Sequence, residues 1–334
     1  MSRRLVLIAG AGVTAAAAAV VVSGGVSGSA TPASVDASRA SATTVYTPSV
    51  HAAAMPLDAY QLSAAQEAQK VNLSVLMDRA CMRSFGLSYL PHYTDRAKII
   101  TATFAVYNSR RYGISDPVAA SRFGYHLPSQ PTITSSSDDG DQADTSPTTM
   151  SPDKRRVFTG VAAKQLPSLT AKTPDSAVSP GTYLGKAIPA GGCSGQTHRE
   201  LKDDPAPDAA KANELAARLN QEAFTKTLHD RRALTASAAW RQCMTAKGYS
   251  RYATPLAASA GFNLNGPVTK REIKTAVADV ACQQQVHYVQ TLTTLEAGYQ
   301  KSSIAQHTAA LAPLKAQVAG QLTALRKALQ ANGG

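Results

Sequence analysis

Gly191-Gly192-Cys193-Ser194-Gly195 has the glycine-x-nucleophile-x-glycine spacing with which hydrolases hold a reactive side chain on a tight strand-to-helix turn. That chemistry needs a free thiolate and a buried strand leading into the turn. The preceding Gly185-Lys186-Ala187-Ile188-Pro189-Ala190 contains a proline and few apolar residues, so it makes a poor buried strand. The histidines are His51, His92, His126, His198, His229, His287 and His307, with no pair at metal-ligand spacing and no His-Glu-x-x-His. His198 and Glu200 lie close to Cys193, but two residues apart on a helix they point to different sides. His287 reads as a half-buried helix residue. Asp138-Asp139-Gly140-Asp141 with Asp144 offers oxygen ligands for Ca²⁺, yet lacks the ordered spacing and terminal Glu of an EF-hand, and reads as a solvated acidic loop. Arg110-Arg111-Tyr112 suits a phosphate or carboxylate, since paired guanidiniums bind such groups well; it equally suits a solvated helix end, where cations complement the dipole. No catalytic, cofactor-binding or metal-binding residue is assigned from these motifs.

The four cysteines are Cys81, Cys193, Cys243 and Cys282, and four allow three pairings. A short repeat chooses among them. Arg79-Ala80-Cys81-Met82 with Gly86 and Ser88 matches Arg241-Gln242-Cys243-Met244 with Gly248 and Ser250, five identities at one offset of 162 residues. In each copy the Cys lies one turn before a helix-ending Gly, and a second Cys follows downstream. Equivalent copies pair as Cys81–Cys193 and Cys243–Cys282; a chance similarity at two helix ends leaves the pairing open. Trp240, three residues before Cys243, is expected to pack on that cystine.

Arg79-x-Cys-Met, Arg110-Arg111-Tyr112-Gly113-Ile114, Gly191-Gly192-Cys193, Trp240-x-x-Cys243-Met244 and Ala278-Asp279-Val280-Ala281-Cys282 together resemble uncharacterised secreted proteins and lipoproteins of high-GC actinobacteria. The chain departs from the lipoprotein members in lacking a lipobox Cys. The resemblance implies an exported, four-cysteine architecture and carries no activity.

The elements that position these residues are helical. Aromatic residues are only 6% and Ala is abundant, which favours helices packed through small side chains over a β-sandwich. The pattern predicts a mainly α, disulfide-stapled domain with long C-terminal helices, irregular loops and little or no sheet. A first helix spans about 63–85, with Val71, Val75, Leu76 and Met82 on its apolar stripe and Gly86 as its stop. A second stretch covers 95–108, and Ser115-Asp116-Pro117 opens a short helix that Gly124 ends. Residues 152–159, 207–229 and 232–247 read as further helices. Thr269 with Glu272 forms a capping box, flanked by a Val268–Ile273 staple, and starts helical patterning to about Ala312 through Ile273, Val277, Val280, Tyr288, Leu292, Leu295 and Tyr299. Pro313 kinks or restarts the helix. Beyond it Leu314, Val318, Leu322, Leu325 and Leu329 form a seam of about two heptads, too short for an independent coiled coil.

The full division runs as a signal peptide at 1–30, a flexible tether at 31–54, an N-terminal helical half at 55–127, a disordered loop at 128–152, a C-terminal helical half at 153–312 and a terminal amphipathic helix at 313–334. The leader has a basic head at Arg3 and Arg4, an uncharged run from Leu5 to Val22 and small residues to Ala30, with cuts after Gly28 or Ala30; an uncleaved anchor is the rival. Ser2-Arg3-Arg4-Leu5-Val6-Leu7 also fits twin-arginine export. The chain's net charge is +12, of which the leader's arginines account for two.

An exported basic chain meets anionic wall polymers and lipid headgroups, not nucleic acid, and the mature part holds no transmembrane span. The leading expectation is a non-enzymatic cell-envelope or extracellular protein, secreted or surface-associated, that binds or scaffolds. Its partner is an envelope protein, an anionic wall polymer or a second copy through the C-terminal seam. The competing class is a secreted hydrolase acting on cell-wall material. A peripheral membrane binder through the last helix, whose polar face carries Lys315, Arg326 and Lys327, ranks below both.

Overall fold

Six helices begin where a short polar side chain accepts an otherwise orphaned backbone N–H, the stabilising geometry of an N-cap. Ser63 caps α1 (Ala64–Ser84), Asp116 caps α2 (Pro117–Phe123), and Ser151 caps α3 (Pro152–Thr159). Three helices in the C-terminal part add to them: Asp230 caps α6 (Arg231–Ala246), Thr254 caps α7 (Pro255–Ser259) and Thr269 caps α8 (Lys270–Gln285). Between these lie α4 (Gly192–Leu201) and α5 (Pro207–His229), and the chain closes with α9 (Tyr288–Gln306) and α10 (Thr308–Ala331). The sheet is one antiparallel hairpin of two-residue strands, β1 (Thr182–Tyr183) and β2 (Lys186–Ala187). This is a computed structural model; it describes residues 54–89, 110–127, 150–161 and 180–331. The fold is mainly α and held by two disulfides. The leader, the 95–108 stretch, the acidic Asp138–Asp144 run and nearly all of the tether and the 128–152 loop lie outside the described residues.

The bridges are Cys81–Cys193 and Cys243–Cys282, with Cα separations of 5.6 and 5.7 Å, the pairing that the repeat indicates. The two copies also share their local structure. In each, a glycine with φ near +70 to +86° ends the helix, at Gly86 and Gly248. The next residue then bonds back to the buried methionine's carbonyl: Leu87 N to Met82 O at 3.1 Å, and Tyr249 N to Met244 O at 2.8 Å. That is the six-to-one closure of a glycine-capped helix. Downstream, Gln196 and Gln285 each stand three residues after the second Cys and set an Oε1 beside the partner sulfur.

The N-terminal and C-terminal helical parts share a core. Tyr112, Ile114, Ala120 and Tyr125 pack with Trp240, Met244, Val280, Tyr288 and Leu292. A second cluster surrounds the first bridge, where Met82 and Phe85 meet Met150, Val157, Phe158, Ile188 and Cys193. Met150 is therefore part of the core.

Three expectations change. The long helical run breaks at His287, which takes a left-handed conformation (φ 52°), and again at His307, before Pro313. No glycine or proline marks either break; His287 is exposed, not half-buried within a helix. Pro313 lies inside α10, near its start, so the break falls six residues earlier. Finally, the seam is part of the core. Leu314 and Val318 pack with Leu62 and Ala212, with Leu322 half-buried beside them. Leu325 packs with Leu73 and Leu201, flanked by Leu329. One turn earlier on α10, Leu311 meets Leu57, Leu215 and Leu219, so α10 runs antiparallel along α5. Ala212 and Ala216 on α5 lie in this contact, where small side chains favour close helix packing. The apolar stripe thus finds a partner within the chain.

Candidate functional site

The residues that sequence reading put first are structural. Gly191, Gly192 and Gly160 all have positive φ, and a Cβ on Gly192 would sit 2.5 Å from Gly160 N and Phe158 O. The glycine pair lets the start of α4 touch the end of α3, backbone to backbone. Cys193 is fully buried in its disulfide, and the strand before it is two exposed residues long, so the hydrolase-elbow reading fails on both counts. Arg110 spans the next turn, donating to Tyr125 O (2.6 Å) and His126 O (2.8 Å), and is not a solvated helix end. Arg111 does read a carboxylate, but one of this chain.

That carboxylate is Glu296, fully buried on α9. It accepts from Arg111 Nε (2.8 Å) and Nη2, from Tyr112 OH (2.6 Å) and from Gln300 Nε2 (3.0 Å). Arg111 also donates to Asn220 Oδ1 (2.8 Å) and lies over the Phe224 ring, 5.1 Å from its centroid. Gln300 Oε1 accepts from Leu57 N (3.0 Å), tying the N-terminal 3₁₀ turn Pro56–Tyr60 to the same knot. Burial opposes the Arg111 charge, and the Glu296 carboxylate more than compensates, holding the guanidinium above its ordinary range.

A second knot centres on Asp279, also fully buried. Its Oδ1 accepts from Trp240 Nε1 (2.8 Å) and Gln283 Nε2 (2.9 Å), and its Oδ2 from Tyr125 OH (3.0 Å). Gln283 Nε2 also reaches Ile114 O at 2.7 Å. All the donors are neutral. Burial therefore pushes the Asp279 carboxyl up to about 7, with the three hydrogen bonds opposing. Trp240 sits in the same cluster as Cys282, as its spacing suggested, but its N–H is spent on Asp279.

Glu272 completes the inner face of α8. Thr269 caps the helix, yet Glu272 does not return the bond. Its carboxylate instead accepts from Tyr125 N (2.8 Å) and contacts His126 Nδ1 (2.7 Å). The face expected to be apolar is exposed at Val277, while the buried face carries Glu272, Thr275, Asp279 and Gln283.

No family model, curated protein or solved structure matches the chain.

A groove of about 690 Å³ runs between α1, α4, the hairpin and the end of α10. Met77, Ala80, Phe85, Ala324 and Ala328 give it apolar walls, and the Cys81 side of the first bridge lines it. Lys186 and Lys327 stand in its lining; Lys186 Nζ donates to Ser84 O (3.0 Å) and lies 4.6 Å from the Phe85 centroid. The carboxylate in this lining is Glu200, which accepts from Gln196 Nε2 at 2.8 Å. Behind Thr197, Asp78 is buried and accepts from its hydroxyl (2.6 Å); burial pushes that carboxyl up to about 6. Among the described residues, no group of three or more His, Cys, Asp or Glu side chains is placed to hold a metal ion.

Proposed function

We propose that this chain is an exported, non-enzymatic protein of the cell envelope or extracellular space with a binding or scaffolding role. The observation that carries the reading is where its acids lie. Asp279, Glu296, Glu272 and Asp78 face inward, and each is bonded to partners of its own chain. A hydrolase needs a polarised acid or base within reach of substrate. The open groove instead offers an apolar wall, two lysines and a single carboxylate. Export is supported by two cystines, which persist in oxidising compartments, and by the leader pattern of the first thirty residues. Among the described residues, no helix is long and apolar enough to cross a membrane.

Cell fractionation combined with a wall-digestion assay tests the proposal. The chain should appear in the medium or envelope fraction, and the purified protein should release no soluble fragments from isolated wall. Fragment release that grows with protein added would move the chain to the hydrolase class.

A further inference from the structure

We propose that the end of the molecule built from the 123–127 turn, the 262–268 loop and the start of α8 docks on an anionic lipid bilayer. The inference names a partner for the envelope protein proposed above and rests on that reading for its compartment. Three polar contacts and a ring stack bring the pieces together. His126 Nε2 meets Gly266 O at 2.8 Å, Glu272 holds Tyr125 N and His126, and Phe262 stacks on Tyr125 with centroids 5.3 Å apart. Because Glu272 turns inward, the first turn of α8 shows only its cations, Lys270 and Arg271, to solvent.

Two guanidiniums converge on the loop. Arg251 Cζ lies 6.0 Å and Arg271 Cζ 5.6 Å from the Phe262 centroid. Arg251 donates to the Tyr252 hydroxyl, and neither guanidinium is within ion-pair distance of a carboxylate among the described residues. Between residues 110–127 and 247–278 the acids are Asp116 and Glu272, both buried, so these two described segments expose no carboxylate. Its cations are interleaved with aliphatics. Leu127, Leu264 and Val268 are 41%, 45% and 38% exposed, three of the eight large hydrophobics left open on the described surface.

That combination discriminates between anionic partners. A wall polymer is hydrophilic along its length and gains nothing from three exposed aliphatic side chains. A bilayer surface uses both halves of the pattern, headgroup phosphates against guanidiniums and the acyl boundary against leucine and valine. The N-terminal dipole of α8 points the same way.

The test is co-sedimentation of the exported, oxidised chain with phosphatidylcholine vesicles and with vesicles that also contain phosphatidylglycerol. The neutral vesicles subtract any contribution from an apolar leader. The chain should partition preferentially to the anionic vesicles. Arg251→Gln with Arg271→Gln should weaken that partition between about tenfold and thirtyfold, since each cation near an anionic surface contributes about 1 kcal/mol. Leu264→Ser with Val268→Ser should weaken it several-fold while circular dichroism stays unchanged. Equal partition to both vesicle types overturns the proposal, as does anionic binding that neither double variant changes. A loss confined to the arginine variant, reproduced on soluble polyphosphate and indifferent to the serine pair, overturns it in favour of an anionic polymer. The fractionation result bears on export alone, so the two readings fail separately.

Discussion

Replacing Asp279 with Asn isolates the cost of burying an acid among neutral donors. In the native protein this carboxyl titrates at about 7, against an ordinary 3.8, because burial disfavours its charge. Between those values the folded state binds the proton and the unfolded state has lost it. Stability therefore falls as pH rises from about 4 to about 7, and the full penalty stands above that window. From pH about 4.5 to about 7.5 the loss from this one group is about 3 kcal/mol, at 1.36 kcal/mol per pH unit of difference. Asn keeps an Oδ1 for Trp240 and Gln283 and places an amide against the Tyr125 hydroxyl, so its own cost is about 1 kcal/mol. Urea midpoints for both proteins at the two pH values supply the assay. The wild type should lose most of that stability on going to the higher pH, while Asp279→Asn loses less by about 3 kcal/mol and becomes the more stable protein there. Asp78, pushed up to about 6, adds a smaller drift of the same sign in both proteins. Parallel pH dependence in the two would refute the account of this knot.

Arg111→Leu strands Glu296 as a buried, unpaired charge and should destabilise the fold by about 3–5 kcal/mol in denaturant titration. Deleting residues 308–334 should unfold the body, because Leu57, Ala212, Leu215 and Leu219 lose their cover; loss of helical circular dichroism well beyond the deleted length checks it. Leu184, 87% exposed at the hairpin tip with φ 48°, is strained for an L-residue. Leu184→Gly should raise stability by about 1 kcal/mol, read as a higher melting temperature.

Local signals were legible in the sequence and tertiary choices were not. Ser63, Asp116 and Thr269 announced their helices, and the glycines at 86 and 248 announced their stops, because caps are set by neighbours within one turn. The disulfide pairing followed from a repeat whose copies share that same local closure. The inward face of α8 did not follow, since polar residues read as solvent-facing unless their partners are known. The spacing of Glu272, Thr275, Asp279 and Gln283, at steps of three, four and four, is nevertheless a stripe on one helical face. Arg111 and Glu296 stand 185 residues apart, and nothing local joins them. The seam after Pro313 is legible as apolar, but its partners are not: Ala212 of α5 lies about a hundred residues upstream, and Leu62, Leu73 and Leu201 lie farther still. His126 carried no signal at all; its role depends on where Glu272 turns.

We propose that the chain works outside the cytoplasm as a stapled binding body. Cell fractionation followed by non-reducing peptide mapping of the recovered protein tests it most directly. The chain should be found in the medium or envelope, with Cys81–Cys193 and Cys243–Cys282 peptides and no free thiol. Protein retained in the cytoplasm with its cysteines reduced would contradict it.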